Sequence, residues 1–247
     1  MGLKVYFSGL FLVLFSCVDL FQNRYEAKSI LLGNFRNLAF GVLHISLATF
    51  LFSLLLHFPE METSKKGPLL ILEIISLILF MDFITYWWHR AYHKWPALWR
   101  LHKVHHSDTR LNTASAYRFH LGELFLSSLF RFGLFFLYTP SLEAYLCFEL
   151  VYSFFNLLTH SKIELPNKYI NQIEKLFITP RLHHNHHHHL REIHDNNFGV
   201  IFSIWDRVFG TFYQKGKEPL NTKLGIGDSP SEPSFVKLQT MPIYSKD

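Results

Sequence analysis

Sixteen of the 247 residues are histidine, and fourteen of these lie between His89 and His194. Their spacing is regular enough to do chemistry. The segment D-F-I-T-Y-W-W-H-R-A-Y-H places His89 and His93 four residues apart, so that on a helix both rings leave from one face. L-H-K-V-H-H then sets His102, His105 and His106 at i, i+3 and i+4, and T-P-R-L-H-H-N-H-H-H-H repeats that spacing with His183, His186 and His187. Neutral imidazole is a ligand for zinc, copper and iron. A structural zinc ion takes about four ligands, so eight convergent imidazoles exceed one such ion and suit two metals with open positions. A tract such as His183 to His189 also occurs as a compositional chelating run or a solvated loop. The pair His89 and His93 sits among Trp87, Trp88, Tyr92, Trp95 and Trp99, an aromatic belt of the interfacial kind. Three spaced groups in one chain weigh against both plainer explanations. His44 and His57 lie outside every group, in an apolar run, and read as packing or interfacial residues.

The elements that position these rings are apolar. Hydrophobic residues make up 49% of the chain and aromatics 17%, whereas charged residues reach only 17% against roughly 25% in soluble domains, which excludes disorder for most of it. Cys17 and Cys147 both sit in apolar runs, which excludes a disulfide-stapled secreted fold. The net charge of +5 is compatible with nucleic acid, an anionic membrane surface or the cytoplasmic loops of a membrane protein. Runs at residues 5–21, 38–58 and 68–88 approach the roughly 20 residues that cross a bilayer, so the last reading holds and no nucleic-acid partner is expected. The first run has a weak basic flank and no small-x-small site before Asn23, and is expected to be retained. Residues 121–138 and 142–159, separated by Thr139-Pro140-Ser141, read as a membrane hairpin interrupted by Arg131, Glu143 and Glu149. Arg24, Lys28 and Arg36 make the first loop more basic than the second, and Arg90, Lys94, Arg100, Lys103, Arg110 and Arg118 follow the third span. The positive-inside rule then puts the N-terminus outside and both His-rich segments in the cytoplasm.

Together with H-H-S-D, Y-R-F-H-L-G-E, D-N-N-F-G and W-D-R-V-F-G-T-F, the histidine groups resemble the fatty acid hydroxylase superfamily, the sterol desaturase family, over about residues 78–213. The resemblance implies two iron ions held by histidine, with O2 and two electrons used to hydroxylate or desaturate a C–H bond of a lipid, sterol or fatty acyl group. Zinc is the substitute expected during overexpression. Carried over by position, the metal ligands are His89, His93, His102, His105, His106, His183, His186 and His187, with His160 in L-T-H-S-K-I-E-L-P as a ninth. His120 stands in the R-F-H-x-x-E element, where this chain has Leu121 instead of the family's proline, as a ligand or a residue orienting one. Asn156, one turn before His160, faces the metals directly or through water, or caps a helix. His184, His188, His189 and His194 extend beyond the family pattern, leaving a pairing of His186 with His189 open. Thr179-Pro180 and Asn197-Phe198-Gly199 favour the register given.

A ligating histidine usually donates its second N–H to a carboxylate or carbonyl. Asp82, Asp108, Glu123, Asp195 and Asp206 are available for this, with Asp82 the strongest because an acid on a membrane helix is costly unless paired. The expected fold is all-α: an integral, multi-pass membrane bundle of three spans plus a membrane hairpin, with a cytoplasmic helical cap holding a dinuclear histidine site. Residues 1–214 form a single membrane-embedded domain, and 215–247, rich in Pro, Ser and charge and without periodicity, a poorly ordered tail or a belt along the cap. The expected partners are the bilayer, a lipid substrate and an external electron donor of the reductase, cytochrome or ferredoxin type, since no dinucleotide fingerprint or cysteine quartet appears. A metal-binding or metal-transporting membrane protein is the alternative; it would place polar residues along several spans. A catalytically silent structural member is disfavoured by the intact histidine groups.

Overall fold

The computed structural model describes residues 10–19, parts of 35–50, 66–214, 223–226 and 233–244. Its described residues are helical, with two isolated β-bridges, Phe177 to Phe202 and His188 to Leu224. Helix α1 spans Leu10–Asp19. The long helix α2, Pro68–Lys94, starts at Gly67, whose φ of 58° only glycine adopts freely, with Pro68 at its first turn. It ends because Pro96 follows: the residue before a proline is pushed out of the α region, and Trp95 is extended at φ −97° and ψ 119°. Helix α3, Pro96–His106, leaves that break in a new direction. Without the break, His89 and His93 could not face His102 and His106.

Asn112 closes a capping box on the 3-10 helix Thr113–Tyr117. Helices α4, Leu121–Leu137, and α5, Leu142–His160, run antiparallel around the turn expected at Thr139-Pro140-Ser141. Ser141 caps α5 and is itself held by Glu73 of α2, which accepts from its Oγ at 2.7 Å. Leu77 and Met81 of α2, Phe135 of α4, and Ala144, Tyr145 and Phe148 of α5 form the core between these three helices. Short helices α6, Asn167–Ile173, α7, Pro180–His186, α8, Arg191–His194, and α9, Ile204–Val208, follow. Gly199 lies in the loop before α9, where a Cβ would meet the Phe202 carbonyl at 2.5 Å. Asp19 anchors α1 by accepting from the backbone N–H and hydroxyl of Thr113, both at 2.7 Å, and from Lys162 N at 2.8 Å.

Among the described residues, α2 is the one helix long and apolar enough to cross a membrane. Of the expected first span, Leu10–Asp19 is helical and the rest lies outside the described residues, as does most of the second, with His44 and His57. The helix over the expected third span is longer than 68–88, because it continues through His93 to Lys94 before Pro96 breaks it. Within the expected tail, Phe235–Tyr244 forms helix α10, whose Leu238 packs on Phe40 and on Val104 of α3. Pro242 lies inside this helix, a residue that ordinarily breaks one, and the segment before it is rich in Pro, Ser and charge, which is why the sequence reads as tail.

Candidate metal centre

The nine expected ligands converge from four helices. His89 and His93 of α2, His102 and His106 of α3, and His186 of α7 form one group; His105 of α3, His160 of α5, His183 of α7 and His187 just after it form another. Within each group the candidate ligand atoms lie within 4.8 Å of one another. The spacing explains the division. Residues four apart share a helix face, so His102 with His106, and His183 with His187, each serve one group. The remaining histidine of each triplet, His105 or His186, leaves from another face and enters the other group. Adjacent histidines are thereby split, and the two triplets interlock.

Six of the nine rings have their outer nitrogen held, while Nδ1 of His106, His183 and His187 is buried without a partner. Nδ1 of His89 faces the Phe198 carbonyl at 2.9 Å, that of His105 the Arg118 carbonyl at 3.2 Å, that of His160 the Asn156 carbonyl at 2.7 Å and that of His186 the Asn196 carbonyl at 2.7 Å. Carboxylates take two more: Asp195 is 3.0 Å from His93 Nδ1 and Glu123 is 2.6 Å from His102 Nδ1. A neutral imidazole that donates from Nδ1 carries its lone pair on Nε2. His89 and His102 thus turn bare Nε2 atoms toward each other at 3.1 Å, and His105 and His160 do so at 3.2 Å. Two lone pairs at that distance repel unless a cation draws both. Nε2 of His93 and of His186 and both ring nitrogens of His106 are buried without a partner. The arrangement fits two metal ions and has no rationale as a hydrogen-bond network.

Burial keeps the rings neutral, as ligation requires. Desolvation, then the neighbouring imidazoles, holds His105, His106, His183, His186 and His187 well below the ordinary histidine range.

Other sequence candidates lie elsewhere. His120 caps α4, accepting from Gly122 N at 2.9 Å, and its Nε2 faces the Gln239 carbonyl of α10 at 3.0 Å; it belongs to neither group. Asn156 contributes its carbonyl to His160, and its side chain lines a cavity. Asp82, the expected orienting acid, touches no imidazole: it accepts from Ile201 N and Phe202 N at 3.0 Å and from the Trp205 indole at 2.8 Å. Asp206 accepts from Phe198 N at 2.8 Å and Gly199 N at 2.9 Å, fixing the loop whose Phe198 carbonyl holds His89. Asp108 binds Ser115 Oγ at 2.7 Å and stands 3.4 Å from the buried guanidinium of Arg118. His184 faces the Ser161 carbonyl, while His188 and the half-buried His189 border the Leu224 bridge. The residue that spacing alone did not single out is His194. It stacks on Trp99 and, with His93 and Asp195, makes a third cluster beside the first group; its only sequence signal is its place next to Asp195.

The two groups open onto a cavity of about 120 Å³ between α2, α4 and α5, with His89, His102, His105, His160 and His183 at one end and Met81, Ile84, Trp88, Leu124, Phe130 and Leu134 in its walls. A family model described as fatty acid hydroxylase matches residues 74–211, and the chain belongs to that family. It is 33% identical to the ornithine lipid hydroxylase OlsE of Rhizobium tropici over 62% of this chain and 45% of the relative. It is 32% identical to human alkylglycerol monooxygenase over 60% of this chain and 34% of the relative, and 31% identical to human lathosterol oxidase over 62% and 50%. The match thus spans half or less of each of these relatives. No solved structure matches the chain significantly.

Proposed function

We propose that this chain is a membrane-bound di-iron oxygenase that hydroxylates a C–H bond of a lipid, using O2 and two electrons from an external donor. The reading is carried by one observation: two adjacent all-histidine groups open onto the apolar cavity between α2, α4 and α5. Family membership and the names of the relatives, two of them lipid hydroxylase or monooxygenase and one a sterol oxidase, support it. The nine histidines are proposed as the ligands, His89, His93, His102, His106 and His186 for one ion and His105, His160, His183 and His187 for the other.

Iron held by these histidines would supply activation of O2 toward an unactivated C–H bond, with two electrons from the external donor balancing one oxygen atom in the lipid hydroxyl and one in water. The protein's own part is positional. Phe198, Arg118, Asn156 and Asn196 carbonyls and the Glu123 and Asp195 carboxylates hold six rings by Nδ1, so each Nε2 is aimed inward before any ion arrives. Phe119 lies flat on His105, with ring centroids 4.7 Å apart, and Trp88, Phe130 and Leu134 keep water from the substrate side. Leu69, Ile71, Leu72, Ile75, Leu79 and Phe80 make an exposed apolar band on α2, and Phe125, Leu129, Phe136 and Leu137 continue it on α4. This surface supports immersion of α2 and the α4–α5 pair in the bilayer, with substrate entering laterally. The basic residues after α2 favour the cytoplasmic side for the histidines.

The test is lipid analysis of cells with and without the protein under labelled O2. Label in a lipid hydroxyl is the expected result. A new double bond without label would convert the assignment to a desaturase, and no lipid change with metal movement across vesicles would replace it with transport.

A further inference from the structure

The cavity is apolar near Met81, Ile84 and Leu134 but carries on α5 a polar stripe that leads away from the proposed ligand His160. Tyr152, Asn156 and His160 are each four residues apart and share one helix face, so the stripe runs from the histidines for about 12 Å, at 1.5 Å per residue. Arg131 of α4 stands at its far end. Glu149 accepts from Arg131 Nη2 at 2.8 Å, and the guanidinium lies over the Phe148 and Tyr152 rings at 5.3 and 4.9 Å. An interhelical ion pair uses one or two of an arginine's five N–H donors. Here Glu149 is the one hydrogen-bond acceptor of Arg131 among the described residues, 21% of the arginine side chain stays accessible, and Arg131 lines the cavity. Tyr152 and Asn156 also line it, and neither side chain has a hydrogen-bond partner among the described residues.

We infer that Arg131, with Tyr152 and Asn156, forms a binding site for an uncharged oxygen function of the lipid substrate, a hydroxyl, ether or carbonyl, held about two helical turns from the carbon presented to the histidines. The charge count selects the class. Arg131 is already neutralised by Glu149, whose side chain is 4% exposed, so a carboxylate or phosphate would leave one buried negative charge uncompensated. A neutral acceptor satisfies the spare N–H groups at no such cost. A bare hydrocarbon leaves them unpaired. The inference rests on the lipid reading of the cavity proposed above, but its test reads binding and needs no turnover.

The experiment uses the full chain, loaded with redox-silent zinc in nanodiscs, and measures uptake of radiolabelled 1-hexadecanol, hexadecane and palmitate beyond that of empty discs. Wild type is expected to hold 1-hexadecanol roughly tenfold more tightly than hexadecane, the order of one hydrogen bond to a charged group, and palmitate no more tightly than the alcohol. Arg131→Met should erase the alcohol's advantage while leaving hexadecane unchanged, and Arg131→Lys should restore part of it. An equal loss for all three probes in Arg131→Met would mean that the arginine only packs the helices and would overturn the inference. Palmitate binding best would overturn the charge argument, and no uptake of any probe by protein that retains its zinc would remove the site. Alcohol preference in the zinc form, with no oxidation by the iron-loaded protein under labelled O2, would instead defeat the oxygenase reading and leave this site standing.

Discussion

Glu123 and His120 stand three residues apart at the start of α4 and do different work. Glu123 is buried against His102, with 2.6 Å between Oε1 and Nδ1, whereas His120 spends one nitrogen on a helix cap and faces α10 with the other. Glu123→Ala is therefore expected to weaken metal retention by about 10- to 100-fold, the usual effect of losing a ring-orienting partner, when metal per chain is measured after dialysis against graded chelator. His120→Ala should retain its metal and lose only about 1 kcal/mol of stability with the cap. Unchanged retention in Glu123→Ala would show that the Glu123 contact does not support the ligand. His102→Ala and His186→Ala act on one group, so each should abolish lipid oxidation and the double variant should be no worse. Additive partial losses would show that the two halves of the chain build separate sites.

At the scale of elements, the break at Trp95-Pro96 and the capping of α4 by His120 bring three helices to one point. Helix α10 braces that point from outside, with the Gln239 side chain accepting from Leu121 N at 2.8 Å and Leu238 fully buried on α3. Leu238→Ala should lower stability by about 2 to 5 kcal/mol, the range for emptying a buried leucine site, and should appear as an earlier thermal transition of the purified protein. A variant melting with the wild type would mean that α10 is detached in solution. Asp82 acts over a longer reach. By accepting three N–H groups it fastens the 201–205 segment to α2, and this loop in turn carries Phe198 to His89.

For the whole molecule, the buried histidines make stability depend on acid. Burial holds the folded pKa of His105, His106, His183, His186 and His187 below the ordinary 6.5, so the unfolded chain binds more protons once pH drops beneath that value. The sign follows: stability of the metal-free protein is full above about pH 6.5 and falls as pH decreases, each such histidine contributing about 1.4 kcal/mol per pH unit. Denaturant midpoints measured from pH 7.5 to 5 should fall steeply; a flat profile would mean that the rings are solvated. The orientation is checked by labelling with membrane-impermeant maleimide in a background lacking Cys17 and Cys147. Lys66→Cys, just before α2, should react from outside and Lys175→Cys, exposed between α6 and α7, from the cytoplasm. Same-side reaction would mean that α2 does not cross.

Much of the centre was legible in the chain because histidine spacing and helix geometry share a period. The i, i+4 pairs, the helix before Pro96 and the turn at Thr139-Pro140-Ser141 all follow from local stereochemistry, which acts over one or two turns. Local rules end there. Which histidine joins which group depends on how α3 and α7 face each other across about 80 residues of chain. The choice of Glu123 and Asp195 over Asp82 as ring partners likewise depends on pairs 21 and 102 residues apart. Sequence determined which residue types could bind metal and on which helix faces they lie. Only the packing of the helices decided their division into two groups and the lone pairs left facing inward, because lone-pair opposition and burial are properties of surfaces brought together rather than of neighbours in the chain.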